Sequence, residues 1–308
     1  MWVNEFRWWE RPRLIGDYEM GETIGKGAYG KVKVARDRRT GKSVAIKIID
    51  RSDYRYNVIK KFYNEVLAMT KLTGCKHIVH LESYAFVDYP AKYLIFHKIK
   101  AAVITMEKAL CDLDSCMYKQ PFSFPVATNL FYQLQDAICY CHDHGICHRD
   151  IKTSNILVSK EYRLLLADFG LAHNSLRSCK TVCGTHRYMA PEIIQTTEHE
   201  YNGCQADVWS AGICYMELLT GGRYPYMIAD HVDPYFECID HHDWVKYKQL
   251  RGKRIGLPEE CYVLLEQIMI SDPEQRPTAR QIMEIISKEI IATDEETEHS
   301  LMERIIQK

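Results

Sequence analysis

The sequence predicts an α+β fold in two lobes: a small antiparallel β lobe with one long helix, then a larger, mainly helical lobe. Three observations lead there. From Tyr18 to Asp50 the chain alternates β-branched and polar residues between Gly turns, the pattern of a strand meander. Val58, Phe62, Val66 and Met69 then recur at helical spacing. After Glu107 the strand pattern gives way to long helical runs.

In order, the strands read YEMGETIGKG, KVKVARDR and, after a turn at Arg39-Thr40-Gly41, SVAIKIID. The amphipathic stretch 57–72 is the long helix of the small lobe. Two further strand-like runs, HIVHLESYAF and AAVITME, complete that lobe. The helices of the large lobe are read at 125–144, 205–219, 258–270 and 278–291. Domain boundaries follow: a Trp-rich extension over 1–17, a domain over 18–291 divided into lobes of 18–107 and 108–291, and a tail over 292–308. Residues 107–110 read as the hinge, and a cleft between lobes is a favoured place for a ligand. Trp2, Trp8 and Trp9 carry more aromatic surface than a solvated tail exposes, so the extension is expected to dock on the chain itself or on a partner. Asp294–Glu298 reads as a solvated acidic stretch, with an amphipathic helix after it.

The chain has 308 residues, 46% hydrophobic and 26% charged, with a formal charge of −1. That balance suits a globular chain with a large core and excludes a generally basic nucleic-acid binder. No run reaches the ~18 apolar residues of a membrane helix. Leu94–Met106 comes nearest and is broken by His97, Lys98 and Lys100. Charges from Glu5 to Arg13 interrupt any secretory signal over Met1–Asp17. The 12 cysteines are scattered, without paired zinc-ligand spacing. They read as reduced thiols of an intracellular chain, cytoplasmic or nuclear. His231, Cys238, His241 and His242 sit in a long stretch, 223–253, but their irregular spacing does not specify a metal site.

Several motifs carry chemistry. Gly25-Lys26-Gly27-Ala28-Tyr29-Gly30-Lys31-Val32 is a G-x-G-x-x-G-x-V loop, whose glycines let the backbone approach phosphate oxygens. A strand follows it rather than the helix of a dinucleotide fold. Lys47 ends the apolar strand Val44-Ala45-Ile46, and Glu65 stands mid-helix as a candidate partner. Further on come His148-Arg149-Asp150-Ile151-Lys152-Thr153-Ser154-Asn155, then Asp168-Phe169-Gly170, then Ala190-Pro191-Glu192.

In this order and spacing the motifs resemble those of eukaryotic protein kinases, over roughly Tyr18 to Ile291. They look most like the calcium/calmodulin-dependent and checkpoint-type group. The resemblance implies an ATP-dependent protein serine/threonine kinase, with Mg2+ as cofactor and ATP as co-substrate. A non-catalytic pseudokinase scaffold is the alternative, and a small-molecule kinase of similar fold a remoter one. By similarity, Ile24, Gly25, Lys26, Gly27, Ala28, Tyr29, Gly30 and Val32 cover ATP, with Ala45 and Leu157 against the adenine. Met106 is the gatekeeper, and Glu107 and Ala109 offer backbone bonds to adenine. Lys47, paired with Glu65, holds the α- and β-phosphates. As a surface pair those two would stabilise little, ~0–1 kcal/mol, leaving phosphate positioning as their role. Asp150 accepts the substrate hydroxyl proton, and Asn155 and Asp168 hold magnesium, consistent with the oxygen ligands a hard cation requires.

Lys152, two after Asp150, and Thr185 follow the serine/threonine pattern, so the substrates implied are proteins bearing Ser or Thr. Thr181 stands where relatives carry an activating phosphothreonine, supplied by an upstream kinase or by the chain itself. Arg149, Lys61 and His173 are the cations expected to meet it. His173 is the weakest, because a neutral imidazole must first take a proton. Met69, Leu81, Phe169 and His148 match the stacked regulatory spine, anchored by Asp207. Glu192 and Arg276 match a buried ion pair. Ser154 replaces the glutamate with which many relatives face a basic substrate residue, while Glu217 resembles a second such acid. No nucleic-acid partner and no membrane span are expected.

Overall fold

The computed structural model describes residues 13–27, 30–50, 57–90, 98–117, 120–176, 178–195, 200–252, 257–288 and 291–306. Trp2, Trp8 and Trp9, and Ala28 and Tyr29 of the Gly-rich loop, lie outside them. The chain divides into two compact units: one runs through Val66 and includes His80–Lys108, the other comprises Leu67–Val79 and the chain from Ala109 onward.

The first unit is a six-stranded antiparallel sheet in the order β1-β2-β3-β4-β6-β5. Its strands are β1 (Arg13–Ile15), β2 (Tyr18–Gly27), β3 (Gly30–Asp37), β4 (Ser43–Asp50), β5 (Leu81–Pro90) and β6 (Lys98–Glu107). Val44, Ile46 and Ile48, alternate residues of β4, fall on one face and pack with Ile15, Met20, Ala35, Ala101 and Val103, as a strand's period of two requires. The edge strand β1, which three residues of Arg-Leu-Ile hardly announce, pairs with β2. Helix α1 (Asn57–Lys71) buries Val58, Phe62 and Val66, with the Phe62 ring edge-on to Tyr84. Its last turns, from Leu67, belong to the second unit.

The strand-like run from His77 to Phe86 is divided. Only the part from Leu81 is strand in the first sheet. In the second unit His77 Nδ1 lies 3.0 Å from the Leu164 carbonyl, and Val79 N–H donates to Leu166. Buried Ile78 and Val79 find their apolar partners there rather than across the six-stranded sheet.

The second unit is built on α3 (Phe124–Asp143) and α5 (Gly203–Thr220). Helix α5 is buried on almost every side, as a helix apolar all round must be. The two meet at Phe131 and Tyr215, whose rings stack at 4.6 Å, and Thr128 Oγ1 lies 3.0 Å from the Tyr215 hydroxyl. A small sheet of β7 (Cys111–Asp112), β8 (Ile156–Val158) and β9 (Leu164–Leu166) flanks the loop carrying Asp150. Short α2 (Leu113–Met117) and α4 (Pro191–Ile194) punctuate the chain.

The stretch 223–253 contains α6 (Pro234–Asp240) and α7 (Trp244–Arg251), N-capped by Asp233 and Asp243. Asp-Pro at 233–234 is a helix-start signal, a cap followed by proline at the first turn. Helix α8 covers Glu259–Ile268. Helix α9 (Ala279–Ile286) starts at a Thr278/Gln281 capping box and stops short of the 291 that periodicity suggests.

The acidic stretch after 293 is exposed at Asp294, Glu295 and Glu296, but it is already helical. It forms the first turns of α10 (Asp294–Ile306), opened by reciprocal bonds between Thr293 and Glu296. Leu301 and Thr297 are buried, and Arg304 donates to the Gln120 and Pro121 carbonyls while covering the Phe122 ring at 3.7 Å.

Candidate active site

Asp207, buried in α5, shapes the loop that presents the candidate base. Its carboxylate accepts the backbone N–H groups of His148 and Arg149, both at 2.7 Å, and lies 3.1 Å from His142 Nε2. These bonds hold Arg149 at φ 66, a left-handed conformation that costs a non-glycine residue ~1–3 kcal/mol. The next residue, Asp150, collects three donors. Thr185 Oγ1 donates to Oδ1 at 2.8 Å; Lys152 Nζ and Asn155 Nδ2 donate to Oδ2 at 2.9 and 3.1 Å. Lys152 Nζ also donates to Thr185 Oγ1 at 2.8 Å, closing a ring of bonds. A carboxylate offers about four acceptor positions, so a substrate hydroxyl can still be received. The carboxylate is fixed in place by its own loop and by Thr185 of a second segment, and neutralised by one ammonium.

Asp168 is exposed, at φ 62, with Oδ1 accepting the Gly170 N–H. It precedes Phe169, fully buried and edge-on to the His148 ring at 4.8 Å, while His148 Nε2 lies 2.9 Å from the Ala167 carbonyl. Met69 is buried in the same unit; Leu81 stands in β5 of the other. Asn155 sends Nδ2 to the Asp150 carbonyl oxygen at 2.8 Å as well as to its carboxylate, which turns the amide nitrogen inward and leaves Oδ1 as its acceptor end. An exposed carboxylate and an amide oxygen fit magnesium, which takes few protein oxygens and fills its shell from phosphate and water. Among the described residues no group of three or more His, Cys, Asp or Glu forms a ready-made metal cage.

In the first unit Lys47 Nζ lies 2.7 and 2.8 Å from the two Glu65 carboxylate oxygens. The pair is not on the surface: the Glu65 and Lys47 side chains are only 2% and 16% exposed. Removing one partner therefore strands a buried charge, at ~3–5 kcal/mol, so the pair carries stability as well as position. Across β4 and β6, buried Ala45 stands opposite buried Met106. Glu107 is held to His80, its N–H donating to the carbonyl at 3.1 Å and its Oε1 accepting the N–H at 2.6 Å. In the loop hairpin Gly25 pairs with Val32, Lys26 with Lys31 and Gly27 with Gly30, while Ile24 is half-exposed. Glycine is required at position 30, where a Cβ would run into the Ile48 carbonyl. Ala109 and Leu157 are half-buried in the second unit.

The segment around Thr181 is tied down at several points. Thr181 is exposed, and Tyr201, itself buried, donates its hydroxyl to the Thr181 carbonyl at 3.1 Å. The Arg149 guanidinium lies near that hydroxyl, and its Nε donates to the Leu171 carbonyl at 2.9 Å. Lys180 pairs with Glu200 at 2.8 Å. His173 Nδ1 accepts the Ser175 N–H at 3.0 Å. Lys61 stands on α1, one turn before Glu65, in the first unit. Tyr201 as a tether for Thr181 has no signature in the sequence. Glu192 and Arg276 form a bidentate pair at 2.8 and 3.0 Å, with Arg276 wholly buried.

Glu217 does not face solvent. It is 1% exposed in α5 and accepts the Tyr188 hydroxyl at 2.8 Å, which in turn lies 3.1 Å from Thr153 Oγ1. A position inside a helix apolar on all sides is the signal for that burial. Burial pushes its carboxyl up to about 8 from the ordinary 4.5. The folded chain thus keeps this proton to higher pH than the unfolded one. The associated stability is full below about pH 4.5 and drains at ~1.4 kcal/mol per pH unit as pH rises toward about 8. Glu217→Gln is expected to flatten that loss in denaturation curves taken across the window. Parallel pH profiles for variant and wild type would contradict it.

Comparison with known proteins adds the family. Residues 18–285 match the protein kinase domain family. The chain is 32% identical over 279 residues to CBL-interacting serine/threonine-protein kinase 8 of Arabidopsis thaliana, covering 88% of this chain and 57% of that protein. It is 32% identical over 280 residues to serine/threonine-protein kinase SIK2 of Gallus gallus, covering 88% and 32%. A probable myosin light chain kinase of Dictyostelium discoideum is 32% identical over 270 residues, covering 86% and 64%. The chain thus spans little more than half the length of the plant relative. With this match, the β unit, the helical unit and the ring of bonds around Asp150 all accounted for, the chain belongs to the protein kinase family, serine/threonine type.

Proposed function

We propose that this chain transfers the γ-phosphate of ATP to serine or threonine hydroxyls of protein substrates. The observation that carries the reading is the closed set of bonds joining Asp150, Lys152, Asn155 and Thr185. Phosphoryl transfer asks a protein for alignment and for neutralisation of spread negative charge. Asp150 receives the substrate hydroxyl proton on the acceptor capacity its three donors leave over. Lys152 and Thr185 hold that carboxylate in one orientation, and the Lys152 ammonium balances its charge near the transferred phosphoryl. Lys47, held by Glu65, reaches the α- and β-phosphates; the Gly25–Gly30 loop, Ala45, Met106, Glu107, Ala109 and Leu157 take the rest of the nucleotide. Asn155 and Asp168 would hold magnesium, which when bound shields the phosphate oxygens. Phosphate on Thr181, from an upstream kinase or the chain itself, sets the level of activity. Twelve unbridged thiols fit a reducing compartment, so we place this action in the cytoplasm or nucleus.

The test is a peptide array presenting Ser, Thr and Tyr acceptors to purified chain with Mg-ATP. Phosphate on serine and threonine peptides is expected; label on tyrosine alone, or on none, would overturn the reading.

A further inference from the structure

Two buried thiols that the phosphotransfer reading does not use lie at the junction of the Asp150 loop and the Thr181 segment. Cys147 directly precedes His148, and Cys179 stands two residues before Thr181. Their sulfurs are 3.8 Å apart. Each backbone is anchored separately: Cys147 exchanges bonds with His173 at 3.0 and 2.9 Å, and Cys179 with Tyr201 at 3.0 and 2.9 Å. Both thiols also lean on the Ser175 carbonyl, at 3.9 and 3.4 Å. On the α5 side Gly203 faces them, and a Cβ there would come within 3.0 Å of both sulfurs. The helix thus opens where the two side chains need room to turn toward each other.

We propose that Cys147 and Cys179 form a reversible intramolecular disulfide that pins the Thr181 segment to the loop carrying Asp150. The oxidant is a peroxide. The Cys179 sulfur attacks one peroxide oxygen, the O–O bond breaks, and sulfenic acid and water form. The Cys147 sulfur then displaces the sulfenic hydroxyl as a second water, leaving the S–S bond. Two thiols give two electrons and two protons to one peroxide; a dithiol reductant reverses the change.

The surroundings divide the roles. The Cys147 sulfur 3.8 Å away and the nearby Arg149 guanidinium both favour the Cys179 thiolate, so Cys179 is lowered. Beside it, and by burial, Cys147 is raised and stays a thiol. A depressed thiol beside a cation is the attacking one, and its neutral neighbour resolves the sulfenic acid. Closing 3.8 Å to the ~2.05 Å of a disulfide needs side-chain rotation and a small shift of one segment. The Cys179 segment is the one able to give, because Asn174, Lys180, Thr181 and Val182 are exposed and its displacement uncovers little apolar surface. Once bonded, Cys179 can no longer move independently of the catalytic loop, and the Tyr201–Thr181 bond shifts with it.

The bond itself stands apart from the proposed activity; only its effect on transfer rests on that reading. The full chain is treated with hydrogen peroxide, remaining thiols are alkylated, and the digest is mapped by mass spectrometry while peptide phosphorylation is assayed in parallel. The expected result is a linked Cys147–Cys179 peptide pair lacking two hydrogens, with loss of transfer that dithiothreitol restores. Cys179→Ser and Cys147→Ser chains should form no such pair and keep their activity through peroxide. Recovery of both cysteines alkylated, or links to Cys183 or Cys204 instead, would overturn the proposal. A linked pair with undiminished transfer would overturn its regulatory half. Absence of transfer in reduced wild type would count against the kinase reading, and the peptide map would still decide the bond. If a serine variant fails to fold, the wild-type map decides alone.

Discussion

Replacing Asp150 by asparagine is expected to lower turnover by ~10²–10⁴-fold, the usual loss when a general base is removed. Asparagine has the same shape and retains an amide oxygen, so Thr185 or Lys152 keeps an acceptor there. The carboxylate is bonded to Lys152, Asn155 and Thr185. The melting temperature and the affinity for ATP should therefore stay close to wild type, with the loss confined to kcat. Asp168→Asn gives the contrasting signature, because its exposed carboxylate is the candidate magnesium ligand. It should weaken ATP binding with magnesium present and change little without it. Steady-state kinetics and calorimetric nucleotide titration separate the two. Asp150→Asn protein working at the wild-type rate would remove the base assignment, and unchanged Mg-ATP affinity in Asp168→Asn would remove the metal role.

Phosphate on Thr181 is expected to raise activity about tenfold or more, the effect of one charge-assisted bond worth ~1.5–3 kcal/mol. The cation best placed to supply it is Arg149, near the Tyr201 hydroxyl that holds the Thr181 carbonyl. Its guanidinium offers a fork that matches phosphate oxygens. Repositioning Arg149 would act on Asp150 directly, since the two are adjacent and share the Asp207 anchor through the loop. Thr181→Ala and Arg149→Ala should both remain at the basal rate, and phosphorylation of Arg149→Ala protein should no longer activate it. Mass spectrometry of active enzyme identifies the modified residue. Full activity in Thr181→Ala, or phosphate confined to Ser175 or Ser178, would end the hypothesis.

Much of this site was legible because phosphoryl transfer fixes residue types at fixed places along the chain. Lys47 and Glu65 come from a strand and a helix, and each is recognisable only with the other motifs in order. Asp150, Lys152 and Asn155 fall within one short loop, so spacing alone brings them together, and the structure bonds them to one another and to Thr185. Burial was harder to read. The Lys47–Glu65 pair looked like a surface pair because charged residues usually stay wet, yet α1 and the sheet enclose it. Glu217 looked like a substrate-facing acid because the motif comparison ignores which side of α5 meets the core. Links that depend on chain crossings left no trace at all. Tyr201 meets Thr181, and Cys147 meets Cys179, only because separate segments converge on the N-terminus of α5. Helix α10 was missed at its start for a different reason: its acidic composition masked the Thr293/Glu296 capping box, a signal that was present.

The account's central claim is that the bonded set around Asp150 makes this chain a working phosphotransferase. The measurement that tests it most directly is transfer of labelled γ-phosphate from Mg-ATP to a serine or threonine peptide by purified wild type beside Asp150→Asn. Acid-stable label on the peptide hydroxyl, accumulating with time in wild type and nearly abolished in the variant, is the predicted result. Equal label in the two proteins, or ATP bound by wild type with none transferred, would contradict it.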